Sequence, residues 1–188
     1  MLEQIDIDIL QHTLPQISNG VDKYLAITST LHTCDVSLDS VFQRTYNGFY
    51  RMRQRKPVFY QVYYDYMERY KQEILTFEDV MNYLHSAINR IEPSFSSKLL
   101  ATINPDMPVW DANVLSQLAI VPPRFSHKDR LAETIKTYAR IVDWYAYYME
   151  TPNAKDVIHI FDQIYPNKPF TSVKKIDFAL WSMGEKIQ

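Results

Sequence analysis

Apolar residues in this chain recur at three- and four-residue spacing, in segments bounded by prolines, and that arrangement admits helices and little else. Proline fixes φ and lacks an N–H, so it is accepted in the first turn of a helix or beyond its end and is expelled from the interior. Ten prolines are spread along 188 residues, and no stretch alternates apolar and polar residues long enough to make a strand. The pattern predicts a compact all-α, multi-helix chain of roughly nine to eleven helices. No repeat or low-complexity linker interrupts it. The length suits one all-helical domain over residues 1–188, with room for two helical lobes and a cleft near residues 92–114.

Leu2, Ile5, Ile9 and Leu10 share one face of a first helix that Pro15 ends, and residues 18–32 read as a second. Asp35 or Ser37 caps a third, with Leu38, Val41, Phe42, Phe49 and Met52 as its buried stripe. Pro57 opens a fourth. Thr76 and Asp79 have the spacing of a capping box for a fifth, with Phe77, Val80, Met81, Leu84 and Ile88 inward. Pro93 breaks the pattern, Ser96 or Ser97 opens a sixth, and Asn104-Pro105 stops it. Asp111 caps a helix over residues 112–118. Ser126 with Asp129 starts a long helix that Pro152 closes, Asn153 with Asp156 opens the next, and Ser172 opens the last. Gly184 is expected as its left-handed C-terminal cap.

Several function classes fall away on composition. A P-loop or dinucleotide loop needs clustered glycines, whereas Gly20, Gly48 and Gly184 lie far apart, so no nucleotide cofactor bound in those ways is expected. The one cysteine, Cys34, permits neither a disulfide framework nor a four-thiolate zinc site. The histidines (12, 32, 85, 127 and 159) show no metal-ligand spacing, and no nucleophile elbow is present. The start carries no signal-peptide pattern and the longest apolar run cannot span a bilayer, so a cytoplasmic chain without a membrane partner is expected. A net charge of −2 gives no global nucleic-acid signature, yet a local basic face suffices for binding.

One such face is suggested by residues 44–71. Arg44, Arg51, Arg53, Arg55 and Lys56 are interleaved with Tyr46, Phe49, Tyr50, Phe59, Tyr60, Tyr63, Tyr64, Tyr66 and Tyr70. Cations mixed with aromatics can track a phosphate backbone and stack on bases, which requires the arginines to share one exposed face. The plainer reading is a helix end that collects cations, above a tyrosine-lined core with its hydroxyls in water. Such tyrosine-rich helices also suit a homo-oligomeric interface.

Residues 93–114 are the most informative. A serine-rich turn (Ser94, Ser96, Ser97) leads into a short helix bearing Lys98, and a proline-rich turn then delivers Asp111 to the start of the next helix. Helix N-termini gather unpaired N–H groups that can hold a phosphate and keep a carboxylate ionised. Spacing is equally met by a solvated first-turn lysine and an ordinary helix cap.

These residues resemble the core of the helix-hairpin-helix DNA glycosylases, the base-excision-repair superfamily that includes the 8-oxoguanine glycosylases. The match is the order turn, Lys98, apolar helix, then Pro108-Val109-Trp110-Asp111-Ala112-Asn113-Val114, with one added residue before the aspartate. Residues 174–184, with Trp181 and Gly184, are similar to the helix that closes that fold, and the likeness covers residues 75–184 thinly. The chain departs from the family in having no glycine in the hairpin turn. Its Lys98-to-Asp111 separation (111 − 98 = 13) is also shorter, and no cysteine cluster follows.

The resemblance implies a DNA N-glycosylase, with lyase activity if Lys98 reaches the sugar, and no cofactor or metal. Asp111 would stabilise positive charge on the deoxyribose, and Lys98 would attack as an amine made usable by burial. Phe95, Trp110 and Asn113 would line a pocket for a flipped base, with Trp144, Tyr145 and Tyr148 as further walls or as core. Ser94, Ser96 and Ser97, with Arg51, Arg53 and Arg55, would meet the DNA. The competing expectation is a helical interaction or regulatory protein that has the scaffold without the chemistry. An all-α enzyme of small-molecule metabolism is a more distant third.

Overall fold

A computed structural model describes residues 2–184, and among them every regular element is helical. The elements are α1 (Ile7–Thr13), a 3₁₀ turn (Leu14–Ile17), α2 (Ser18–Thr30), α3 (Ser40–Phe49), α4 (Pro57–Tyr70), α5 (Phe77–Ile88) and α6 (Pro93–Ile103). Then follow α7 (Ala112–Gln117), α8 (Arg130–Met149), α9 (Pro152–Ile164) and α10 (Ser172–Gly184). The chain divides into two compact units. Unit 1 joins Met1–Ser18 to Pro105–Gln188, and unit 2 is Asn19–Asn104.

Local chemistry accounts for most helix starts. Pro57, Pro93 and Pro152 each occupy the first turn of a helix, where a missing N–H costs nothing. Thr76 and Asp79 close a full capping box: Thr76 Oγ1 accepts from the Asp79 N–H at 3.1 Å, and Asp79 accepts from the Thr76 N–H at 2.9 Å. Asp111 accepts from the Asn113 N–H at 2.9 Å and caps α7.

Several boundaries differ from the sequence reading. Asp39, not Asp35 or Ser37, caps α3, and Asp35 spends its carboxylate on an Asx turn with Ser37. With the register set there, Leu38 and Val41 lie outside, 79% and 63% exposed, while Phe42 and Tyr46 face inward. Helix α1 ends at Thr13, just before Pro15, and the 3₁₀ turn that contains this proline carries the chain on into α2. Helix α6 opens at Pro93 rather than at a serine, α8 at Arg130, and α9 under a Thr151 cap. Gly184 is not a left-handed cap, since no described glycine has positive φ. Its helix instead packs so tightly on α7 that an added Cβ would lie 2.5 Å from Asn113 Cβ.

In unit 1, α10 is the central element, touching α1, the 3₁₀ turn, α7, α8 and α9, and Ile176, Phe178, Ala179 and Leu180 are wholly enclosed. In unit 2, α5 packs on both α4 and α6. Tyr46, Tyr63 and Tyr64 form the middle of its core. No helix among the described residues is long and apolar enough to cross a membrane.

Candidate functional site

Helix α6 is enclosed on nearly every face from Phe95 to Thr102, so its polar residues are buried with its apolar ones. Lys98 is only 8% exposed. Its Nζ donates to the Tyr50 carbonyl oxygen at 3.3 Å and stands 5.5 Å from the Phe95 ring centre and 5.8 Å from that of Tyr50. The negative ring faces and the carbonyl dipole replace part of the water an ammonium gives up on burial.

Tyrosine hydroxyls fix this helix. Tyr63 donates to the Phe95 carbonyl at 2.9 Å and exchanges a 2.7 Å hydrogen bond with Tyr46. Tyr50 bonds Thr102 Oγ1 at 3.0 Å, and Thr102 in turn donates to the Lys98 carbonyl at 2.7 Å. The tyrosines of the aromatic stretch therefore do line a core, but Tyr46, Tyr50 and Tyr63 turn their hydroxyls inward rather than to water. Burial pushes the Tyr46 and Tyr63 hydroxyls well above their usual ionisation range.

Lys98 and Phe95 are joined by Arg55, whose guanidinium lies 4.9 Å from the Phe95 ring centre and 5.7 Å from that of Phe59. Glu92, itself buried, faces Arg55 at 3.4 Å and Arg90 at 3.0 Å. Arg51 and Arg53 are exposed in the turn between α3 and α4, whereas Arg55 is half-buried, so the three do not share one open face. Arg51 and Gln54 both adopt left-handed backbone, φ 54° and 57°. Ser96 and Ser97 are fully enclosed and Ser94 is half-buried; Ser97 Oγ donates to the Ser94 carbonyl at 3.0 Å.

Unit 1 holds the other three sequence candidates. Asp111 is half-buried at the α7 cap, Trp110 is 5% exposed, and Asn113 is half-buried against Gly184. The turn before Asp111 is pinned at two carbonyls: Tyr138 donates to Pro108 at 2.8 Å, and Thr171 to Pro105 at 2.7 Å. Trp144 and Tyr148 stack at 4.7 Å in the core of this unit, and Trp144 donates to the Leu2 carbonyl.

Beside them lies a buried polar group that the sequence reading passed over. Lys174 Nζ is 2.7 Å from Asp177 Oδ2, with side chains 4% and 8% exposed, and Tyr145 donates to the other carboxylate oxygen. Burial, then the Asp177 charge, push the Tyr145 hydroxyl well above its usual range, and the charge of Asp111 acts in the same direction. Burial and Asp177 also push Tyr138 up. The i,i+3 spacing of a lysine and an aspartate on a helix whose only other charged residue is Lys175 was the signal available for this pair.

Among the described residues no three His, Cys, Asp or Glu side chains are grouped to hold a metal ion. Burial and neighbouring Asp39 push the Cys34 thiol up, away from thiolate character. No family model, curated protein or solved structure matches the chain.

Proposed function

We propose that this chain acts on DNA as an N-glycosylase with lyase capacity, Lys98 being its amine. The supporting observation is the withdrawal of the Lys98 ammonium from bulk water onto a carbonyl and two aromatic rings. A solvated first-turn lysine, the plainer reading of the sequence, does not have that environment. In the proposed reaction the neutral amine forms a bond to C1′ as the glycosidic bond breaks, and the base leaves with the electron pair and takes up a proton. Ring opening and loss of the amine proton give an imine, and loss of a C2′ proton then expels the 3′-phosphate. The resemblance assigns Asp111 to the positive charge that builds on the sugar.

The test is borohydride trapping on duplexes carrying an abasic site, uracil or an oxidised purine. The expected result is a covalent protein–DNA band with wild type, lost in Lys98→Met and in Lys98→Gln. Asp111→Asn should slow base release on the order of 10²-fold. Wild type that traps on none of these duplexes, or a folded Lys98→Met protein that traps as well as wild type, overturns the proposal.

A second reading, a helical interaction protein without this chemistry, is favoured by a different observation. The serine turn has no glycine, its Ser96 and Ser97 are enclosed, and Glu92 faces the guanidinium of Arg55. That reading expects no trapping from a fully folded chain.

A further inference from the structure

Helix α7 ends in a left-handed residue, Ala119 (φ 52°), with the Ile120 N–H returning to the Leu115 carbonyl at 2.9 Å. Ile120 and Leu115 are both buried, as such a helix end requires. From this anchor the chain runs outside until α8 begins at Arg130, and Pro122 and Pro123 stiffen its first stretch. Arg124 then closes a turn, its carbonyl accepting from the His127 N–H at 3.0 Å, and this places Phe125 at the outer corner. His127 Nδ1 accepts from the Asp129 N–H at 3.2 Å, so the return limb is tied as well.

The result is a large aromatic ring held out in water. Phe125 is 89% exposed and Val121 is 81% exposed. The Arg130 guanidinium stacks over the ring, 4.2 Å from its centre. Arg124, His127 and Lys128 are exposed around it, with Asp129 beside them and Glu133, which is paired with Lys136, acting on His127. A lone exposed apolar residue needs no explanation. An aromatic on a hydrogen-bonded, proline-stiffened turn ringed by cations is a different object, because its ordering cost has already been met in the free protein.

We propose that this turn is a nucleic-acid contact, in which Phe125 stacks on an unpaired base while Arg124 and Lys128 lie against the flanking phosphates. Charge complementarity selects the occupant: the cations favour a polyanion and the ring favours a flat π-face, and an unpaired strand supplies both at one-nucleotide spacing. The two exposed apolar side chains, Val121 and Phe125, are few for a membrane anchor, which needs a broad apolar face. The site belongs to unit 1 and needs no chemistry at Lys98.

Binding of fluorescent dT and U oligonucleotides of about 16 nucleotides tests it. Phe125→Ala should weaken binding at least fivefold, within the range measured for removal of a stacking aromatic. Phe125→Trp should restore it, and its indole fluorescence should be quenched on binding. Arg124→Gln with Lys128→Gln should reduce the salt slope by about 1.4, two phosphates at roughly 0.7 each. Stronger binding of U than of dT would assign the site to RNA, and the converse to DNA, both within the proposal. Unchanged binding in Phe125→Ala, no binding of either oligonucleotide by wild type, or binding only to phosphatidylserine vesicles overturns it. Phe125 and its flanking cations lie outside the core, so the variants keep the fold. Undamaged oligonucleotides carry no substrate, so this result stands apart from the trapping at Lys98.

Discussion

Replacing Lys174 with methionine should be among the costliest single changes in this chain. The two side chains are similar in length, so little packing is lost. The effect comes from Asp177, which is left enclosed with a 2.7 Å partner removed and only the Tyr145 hydroxyl to face it. Breaking a buried pair from one side costs about 3–5 kcal/mol, because the remaining charge keeps its desolvation penalty and loses its compensation. For a chain of 188 residues, at roughly 2–4 °C per kcal/mol, that is a fall in Tm of about 6–20 °C. Removing both charges is a different perturbation. Lys174→Met with Asp177→Leu leaves no buried charge of the pair behind, and the Tyr145 hydroxyl, which loses its acceptor, costs about 1–3 kcal/mol. The double variant should therefore lose far less than the sum of the single losses, and adding Tyr145→Phe should recover most of the remainder. Urea unfolding of wild type, Lys174→Met, Asp177→Leu, the double and the triple variant measures the cycle. A Lys174→Met cost under about 1 kcal/mol, or losses that simply add, would refute the claim that this pair is a desolvated and mutually dependent unit.

Two further outcomes follow from the packing. Burial raises the pH at which Tyr46, Tyr63 and Tyr145 ionise in the folded chain, and Tyr66 is pushed up to about 12 from its usual 10.0. The protonated hydroxyls thus contribute stability that is full below pH 10 and is lost as pH rises through the folded values. Phenolate absorbance should show Tyr66 titrating near pH 12 and the enclosed tyrosines ionising only together with loss of near-ultraviolet circular dichroism. A single titration of all fourteen tyrosines near pH 10, with structure retained, would contradict this. Gly184→Ala should destabilise despite alanine's helix advantage of about 1 kcal/mol, because the new Cβ would meet Asn113 Cγ at 2.4 Å. A loss of about 1–3 kcal/mol in urea unfolding, recovered by adding Asn113→Gly, is expected.

What the sequence discloses and what it conceals divide along the range of the interactions. The Thr76–Asp79 box, the Asp111 cap and the prolines at residues 57 and 105 act within one turn of backbone, so the residues that decide them stand side by side. Helix α3 shows the ambiguity that remains even at short range. Asp35, Ser37 and Asp39 are all competent caps, and only the choice of Asp39 turns Leu38 and Val41 outward. Helix α6 is harder, since a helix buried all round has no polar face to read. Its Ser96, Ser97 and Lys98 look like an exposed first turn until tyrosines 32 to 48 residues upstream are seen to cover it. The candidate site was legible to the same extent. Asp111 was found in its local role and Phe95 beside Lys98, while Glu92, Tyr50 and the Lys174–Asp177–Tyr145 group depend on tertiary packing. Phe125 was discoverable: Pro-Pro-Arg-Phe followed by His-Lys marks a stiff basic turn with an aromatic in it.

The two proposals make different demands on the molecule, and their joint outcome decides more than either alone. An amine that forms an imine must come within bonding distance of C1′, so Lys98 has to leave the Tyr50 carbonyl it now donates to at 3.3 Å. That move breaks this charge-assisted hydrogen bond, worth about 1.5–3 kcal/mol, and gives up contacts with two rings. Binding energy from elsewhere on the DNA can supply it, as remote contacts commonly do for strained or buried catalytic groups. Whether the proposed contact at Phe125 is among them is decided by experiment. If it serves that purpose, Phe125→Ala should lower the rate of borohydride trapping as well as oligonucleotide affinity, and saturating the protein with DNA should restore only the part due to affinity. If trapping at saturation is unaffected, the turn gathers DNA without driving the lysine. Should oligonucleotides bind through Phe125 while no duplex is trapped, the chain is a nucleic-acid-binding helical protein, and the enclosure of Lys98 among Tyr50, Phe95 and Thr102 is a structural feature of α6.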